Sequence, residues 1–152
     1  MELKRVLFLC IGNSCRSQMA EGFAARYGND VLQAASAGLA PAAIVQPLTR
    51  KVMGDKNINI NHQYPKDLGT IDLSTFDIIV NMSGRKLPAT AGKEVLDWKI
   101  EDPIGKEESV YVAVRDKIEM QVMGLILALR QKSQLPRPRR INKRTLLTPT
   151  VE

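Results

Sequence analysis

The chain has 152 residues and a formal net charge of +6, with 44% hydrophobic and 25% charged residues, as in an ordinary globular protein with a core of its own. No apolar run reaches the roughly 20 residues of a membrane-spanning helix, and the start lacks the apolar length and cleavage site of a secretory signal. Two cysteines and one histidine exclude a disulfide framework and a four-ligand zinc site, so we expect a cytoplasmic protein without a metal centre.

The predicted strands and helices alternate along most of the chain. In chain order we predict strand 4–10, helix 17–28, strand 31–38, helix 46–56, strands 76–82 and 94–100, and helix 110–132. Met19, Phe23 and Tyr27 share one face of the first helix, because they recur every four residues. Such alternation indicates an α/β fold of three layers, in which a four-stranded parallel sheet has helices on both faces.

The alternating pattern stops near residue 133. We predict one folded, catalytic domain over residues 1–132 and an exposed, flexible basic tail over residues 133–152, since this segment contains three prolines with arginines between them. The tail has five basic residues and one acid, which makes its charge +5 − 1 = +4. Aromatic residues are absent from it, so the sequence favours neither a nucleic acid nor a membrane as partner.

The candidate site is the loop CIGNSCRS, residues 10–17, which joins the first strand to the first helix. Open α/β sheets bind ligands at the carboxyl ends of their strands, and N–H groups at the start of a helix attract anions. Gly12 and Asn13 allow the tight or left-handed backbone that such a loop needs. We therefore predict that a tetrahedral oxyanion is bound by Ile11, Gly12, Asn13, Ser14, Cys15, Arg16 and Ser17.

Cys10, at the end of the first strand, is the candidate nucleophile. The helix-start N–H groups and the guanidinium of Arg16 favour its thiolate, and Ser17 can donate a hydrogen bond to the sulfur. A thiolate beneath a bound phosphate is aimed at phosphorus. The Cys-x5-Arg spacing is a weak pattern alone, and the strand-loop-helix context makes it more specific.

Asp102 is the candidate proton donor for a leaving group. Pro103 restricts Asp102 to extended conformations, and its loop follows a parallel strand, at the same edge of the sheet as Cys10. A general acid contributes about 10²–10⁴-fold to such a reaction. The alternative interpretation is an ordinary turn aspartate, because other acidic residues lie close by in the sequence.

With these residues in place, the chain resembles the low-molecular-weight protein tyrosine phosphatase superfamily over most of residues 1–132. The resemblance rests on CIGNSCRS, on SAG at residues 36–38 and on the late Asp102-Pro103 pair. It implies a four-stranded parallel sheet and a phosphocysteine on Cys10. It also implies that Arg16 holds the phosphoryl oxygens and that Asp102 acts as general acid and then as base.

Several phrases are similar to the arsenate reductase branch of that family, among them GNSCRSQMAEGF and DWKIEDPIGKEES. The thioredoxin-coupled reductases carry two relay cysteines after the third strand, whereas this chain has NMSGRKLPATAGK there. Reduction would therefore need an external thiol such as glutathione or mycothiol. Tyrosine-specific members usually place aromatic residues after the Asp-Pro pair, and Ile104 and Gly105 stand there in this chain.

On balance the sequence predicts a phosphomonoester hydrolase that works through a phosphocysteine and requires no cofactor. Its substrate would be a phosphorylated protein or a small oxyanion. The alternative is an arsenate reductase that uses an external thiol, and a third possibility is a non-catalytic module that only binds oxyanions. Cys15 has two open interpretations: it forms a protective disulfide with Cys10, or it is a small buried residue of the loop.

Overall fold

A computed structural model describes residues 2–134 of the protein. Its strands are β1 (Lys4–Cys10), β2 (Leu32–Gly38), β3 (Ile78–Asn81) and β4 (Glu94–Asp97), and its helices are α1 (Arg16–Tyr27), α2 (Pro47–Gly54) and α3 (Glu108–Gln134). Two 3-10 helices, Leu68–Thr70 and Leu73–Thr75, precede β3. Residues 133 and 134 end α3, and the rest of the predicted basic tail lies outside the described residues.

The four strands form one parallel sheet in the order β2-β1-β3-β4. The apolar strand β1 is central, and its last five residues are buried. The register places Leu9 beside both Ala37 and Asn81, and it places Cys10 beside Gly38. The carboxyl ends of all four strands therefore lie at one edge of the sheet, next to Cys10.

Side chains of β1 alternate between two hydrophobic clusters, as expected of a strand that is buried on both faces. Val6 and Phe8 pack in the larger cluster, to which the three α-helices contribute. Leu7 and Leu9 face the other way and pack with Leu68 and Phe76 in the region of the 3-10 helices. The predicted three-layer α/β fold is confirmed, and on the described residues the second face carries the two 3-10 helices rather than α-helices.

Each helix boundary lies within two residues of the predicted one. Helix α2 ends at Gly54 rather than at residue 56, because Asn57 adopts a left-handed backbone conformation with φ of 61°. Helix α3 begins at Glu108, whose negative charge suits the positive end of the helix dipole. None of the helices within residues 2–134 combines the length and apolar composition needed to cross a membrane.

Candidate active site

The loop between β1 and α1 turns its carbonyl groups outward. Backbone N–H groups of the segment 39–46 donate to four of them: Leu39 to Cys10 at 3.1 Å, Ala40 to Ile11 at 2.8 Å, Ala42 to Gly12 at 2.8 Å and Gln46 to Ser14 at 2.9 Å. A planar peptide unit directs its N–H group opposite to its carbonyl group, so the N–H groups that follow these carbonyls face into the loop. Within residues 2–134, the N–H groups of residues 12–17 make no hydrogen bond to a backbone acceptor, so they are available to an anion.

Asn13 holds the loop in this shape. Its φ of 49° lies in the left-handed region, which asparagine tolerates better than most residues. The side-chain amide donates to Ser17 Oγ at 2.7 Å and accepts from the Lys66 N–H group at 2.9 Å. Asn13 therefore connects the loop both to the first turn of α1 and to the neighbouring segment at Lys66.

Ser17 links this network to the predicted nucleophile. Its Oγ lies 2.9 Å from Cys10 Sγ, and both atoms are buried. Since Ser17 Oγ accepts a hydrogen bond from Asn13, its own hydrogen is available to the sulfur of Cys10. A thiolate at Cys10 can accept this hydrogen bond from Ser17.

Arg16 is anchored to the two segments that follow β3 and β4. Its Nη1 donates to the carbonyl oxygen of Met82 at 2.7 Å and to that of Ile100 at 3.3 Å. Its Nε and Nη2 make no hydrogen bond within residues 2–134, although Nη2 lies 3.7 Å from Asp102 Oδ2. The guanidinium is therefore held through one nitrogen and keeps two donors for an oxyanion.

Asp102 lies at the open side of this arrangement. Its side chain is 47% exposed, against 7% for Arg16, and its Oδ1 accepts from the Ile104 N–H group at 3.1 Å. The segment after β4 thus places Asp102 beside Arg16, as expected from the parallel topology of the sheet. The roles of nucleophile, clamp and acid that the sequence assigned to Cys10, Arg16 and Asp102 stay predictions.

Cys15 differs from Cys10 in its surroundings. Both are free, buried thiols, and Cys15 lies close to Thr49, whose Oγ1 donates to the Ser14 carbonyl oxygen at 3.3 Å. Burial away from water raises the pKa of the Cys15 thiol to about 12, so it stays protonated near neutral pH. Since a thiolate is the species that attacks a sulfur atom, this environment favours the packing interpretation of Cys15 over the disulfide.

Two buried glutamines that the sequence patterns did not indicate hold the loop in place. Gln18 Nε2 donates to the carbonyl oxygens of Asn13 at 2.9 Å and Tyr64 at 3.0 Å. Gln63 Nε2 donates in turn to Gln18 Oε1 at 2.8 Å. The only feature of the sequence that could have indicated this role of Gln18 is its position directly after the loop. Glutamines in helices are mostly exposed to solvent, so the residue type gave no indication of burial.

Gly38 is required by the close approach of β2 to the loop. A Cβ atom on Gly38 would lie 2.8 Å from the Ile11 carbonyl oxygen and 3.0 Å from Asn13 Cβ. We expect Gly38→Ala to lower kcat/KM by about tenfold or more and the free energy of unfolding by about 1–3 kcal/mol, because the loop must shift. Unfolding by denaturant and steady-state kinetics measure the two effects.

Gly54→Ala is the matched control, since a Cβ at Gly54 meets no atom within 4 Å. That variant should leave kcat/KM unchanged and unfold at a similar denaturant concentration. Equal stability and activity in the Gly38 and Gly54 variants would show that the loop tolerates the additional methyl group.

No group of three or more histidine, cysteine, aspartate or glutamate residues in the described part of the chain could hold a metal ion. The polar groups that the site itself offers are the loop amides, the Arg16 guanidinium, the Cys10 sulfur and the Asp102 carboxylate.

Comparison with known proteins identifies the family. A family model described as low molecular weight phosphotyrosine protein phosphatase matches residues 5–135. A glutaredoxin arsenate reductase from Synechocystis sp. is 33% identical over 128 residues, which cover 82% of this chain and 97% of that protein. A solved structure described as an arsenate reductase in the phosphate binding state has a TM-score of 0.79 and 32% identity, and it covers 84% of this chain and 99% of that one.

A further solved structure, the YwlE arginine phosphatase from Geobacillus stearothermophilus, has a TM-score of 0.76 and 24% identity, and it covers 86% of this chain and 95% of that one. This likeness concerns the fold alone. The resemblance predicted from CIGNSCRS, SAG and the Asp-Pro pair is confirmed, including its similarity to arsenate reductases. The chain belongs to the low molecular weight phosphotyrosine protein phosphatase family.

Proposed function

We propose that this enzyme is an arsenate reductase that takes its electrons from an external thiol. The observation that carries the proposal is the similarity to arsenate reductases over about four fifths of the chain. The sequence alone favours a phosphatase, with this reductase as the alternative, and the comparisons support the alternative better. Ile104 and Gly105 support it further, because neither residue can stack on the aromatic ring of a phosphotyrosine.

The first step is attack on arsenic. The loop N–H groups and the Nε and Nη2 of Arg16 bind the arsenate oxygens, and the Cys10 thiolate forms a bond to As(V). One As–O bond breaks, and the oxygen leaves as water once it has taken a proton from Asp102. Arsenic keeps its oxidation state in this step, and the product is a thioester-like Cys10 arsenate adduct.

The second step is reduction. An external thiolate attacks the Cys10 sulfur, and the S–As bond breaks with its electron pair on arsenic, so that As(V) becomes As(III) and leaves as arsenite. Cys10 is then joined to the external thiol in a mixed disulfide, which a second thiol reduces. Cys15 is a poor substitute for the external thiol, because its pKa is about 12.

Arsenite formation tests the proposal directly. The protein is incubated with arsenate and glutathione, with or without glutaredoxin, and glutathione reductase reports disulfide formation through NADPH consumption. We expect arsenate-dependent consumption that matches the arsenite produced. If no thiol system, thioredoxin included, yields arsenite while an aryl phosphate is hydrolysed efficiently, the reductase assignment is wrong.

Phosphomonoester hydrolysis is the second candidate function, and the position of Asp102 favours it. Its half-exposed carboxylate, 3.7 Å from Arg16 Nη2, lies where a leaving group can depart toward solvent. The reaction would form a phosphocysteine on Cys10, and Asp102 would first protonate the leaving oxygen and then activate water. This chemistry needs neither a relay cysteine nor an external thiol.

Asp102→Asn is expected to lower turnover of substrates with poor leaving groups by about 10²–10⁴-fold, because the amide cannot supply a proton. Arsenate belongs to that class, since its leaving group is hydroxide. Binding of inorganic phosphate should be unchanged or tighter, because a negative charge beside the anion is removed. Kinetics on arsenate and on alkyl and aryl phosphates, with phosphate as inhibitor, measure both effects.

Glu101→Gln is the matched control, because Glu101 is the exposed neighbour that pairs with Lys106 instead of Arg16. It should keep turnover close to that of the wild type. Unchanged turnover of alkyl phosphates and arsenate in Asp102→Asn would remove Asp102 as the acid.

A further inference from the structure

A cavity lies beside the candidate active site, at the carboxyl ends of β3 and β4. Its volume is about 390 Å³, within the size range of small-molecule sites, roughly 300–1,000 Å³. The lining side chains are Asn81, Arg85, Lys86, Asp97, Trp98 and Lys99. The candidate oxyanion site is the loop over residues 10–17, so this cavity is a separate feature of the same sheet edge.

The cavity and the active site share two chain segments. The register pairs Asn81 with Leu9, the residue before Cys10. The next residue, Met82, and the residue after Lys99, Ile100, provide the carbonyl oxygens that hold Arg16 Nη1. A molecule bound in the cavity therefore lies against the backbone that holds both the nucleophile and the guanidinium.

The cavity is strongly basic. Arg85, Lys86 and Lys99 are exposed, and within residues 2–134 none of them has an ion-pair partner. The one carboxylate in the lining, that of Asp97, accepts a hydrogen bond from Asn81 Nδ2 at 3.1 Å. Three cations against one anion attract a molecule with negative charges to the cavity.

The segment that carries Arg85 and Lys86 is held in place by buried polar side chains. Asn81 Nδ2 donates to the Arg85 carbonyl oxygen at 2.8 Å, and Ser83 Oγ donates to Asn81 Oδ1 at 2.6 Å. Asn81 and Ser83 are both buried. The backbone that carries Arg85 is thus fixed to the end of β3, which lowers the entropy cost of binding an anion there.

We infer that this cavity binds the external reductant of the proposed function, and that the reductant is a low-molecular-weight thiol with carboxylate groups, of the glutathione kind. The inference rests on the proposed function. Carboxylates of the thiol pair with Arg85, Lys86 and Lys99, and its sulfur reaches Cys10 along the sheet edge that the cavity shares with the oxyanion loop. The thiolate then attacks Cys10 Sγ, and the electron pair of the S–As bond goes to arsenic. The segment after β3, which carries no cysteine, thereby binds a thiol instead of providing one.

Charge reversal tests the inference kinetically. In the double variant Arg85→Glu and Lys86→Glu, we expect the preference for glutathione over the uncharged dithiothreitol, as a ratio of kcat/KM values, to fall by about tenfold or more. The preference should also fall with added salt in the wild type, because exposed charges are screened. Arg26→Glu, a charge reversal on the exposed end of α1, is the matched control and should keep the ratio.

A binding measurement separates this inference from the proposed function. S-methylglutathione cannot react, so its affinity, measured by calorimetry with the oxyanion loop saturated by inorganic phosphate, does not depend on reductase activity. We expect binding to the wild type and at least about tenfold weaker binding to the double variant.

The two assignments fail differently. If S-methylglutathione binds as expected but no thiol yields arsenite, the thiol site stands and the reductase proposal fails. If glutathione drives arsenite formation with an unchanged ratio in the double variant, the cavity is not the thiol site. The inference is also overturned if phosphate displaces S-methylglutathione. It is overturned as well if only a protein dithiol supports turnover and S-methylglutathione does not bind.

Discussion

Cys10→Ser is expected to lower turnover by about 10⁴–10⁶-fold, the loss typical of removing a covalent nucleophile. The serine hydroxyl does not ionise near neutral pH, so attack on arsenic or phosphorus fails. Reduction fails for a second reason, since an oxygen cannot form the mixed disulfide that leaves the electron pair on arsenic. The binding of phosphate should persist, because the loop N–H groups and Arg16 remain. Arsenite production and phosphate-induced thermal stabilisation report the two properties.

Cys15→Ser makes the same chemical change in the same loop and is therefore its control. Thr49 lies close to the buried Cys15 side chain, and its Oγ1, which donates to the Ser14 carbonyl oxygen, can accept a hydrogen bond from a serine hydroxyl there. We expect turnover within a few-fold of the wild type. A loss as large as that of Cys10→Ser would mean that Cys15 takes part in the chemistry, and residual arsenate reduction in Cys10→Ser would overturn the nucleophile assignment.

Arg16→Lys is expected to lower kcat/KM by about 10²–10³-fold, the usual effect of losing a donor that stabilises charge in a transition state. An ammonium keeps the positive charge but loses the planar fork. Lysine cannot contact the carbonyl oxygens of Met82 and Ile100 and still direct two parallel donors at an oxyanion. The stabilisation that phosphate gives to the folded protein should also shrink, because it follows the binding affinity.

Arg130→Lys is the control for this substitution. Arg130 also uses a guanidinium fork, on Asp30, together with the carbonyl oxygen of Tyr27, and it belongs to the end of α3, away from the loop. It should change stability slightly and kcat/KM not at all. If Arg16→Lys keeps both turnover and phosphate-induced stabilisation, the oxyanion is held by the loop amides alone.

Local patterns predicted the elements that carry the site. The apolar run of β1 and the four-residue spacing in α1 placed the CIGNSCRS loop between a buried strand and a helix. Parallel topology then placed Asp102 at the same edge, and the 3.7 Å separation from Arg16 Nη2 agrees with that expectation. The boundaries of α2 were less predictable, because the left-handed turn at Asn57 has no strong signal.

The bracing of the loop could not be predicted in the same way. Gln18 and Gln63 are far apart in sequence, and they meet only because the segment 63–66 folds against the start of α1. Gly38 is special only because β2 runs next to β1 and brings it against Ile11. In each case the partner atoms come from a distant segment, which sequence spacing does not reveal.

The amino-acid sequence alone determined the α/β architecture, the position of the loop and the presence of Cys10 and Arg16 in it, because these features depend on neighbours along the sequence. Only the tertiary structure decided that the loop carbonyls turn outward, that Ser17 contacts Cys10 and that Arg16 is held by Met82 and Ile100. It also decided that Cys15 stays protonated. Burial and hydrogen-bond direction depend on packing between distant segments, and therefore on the whole folded chain.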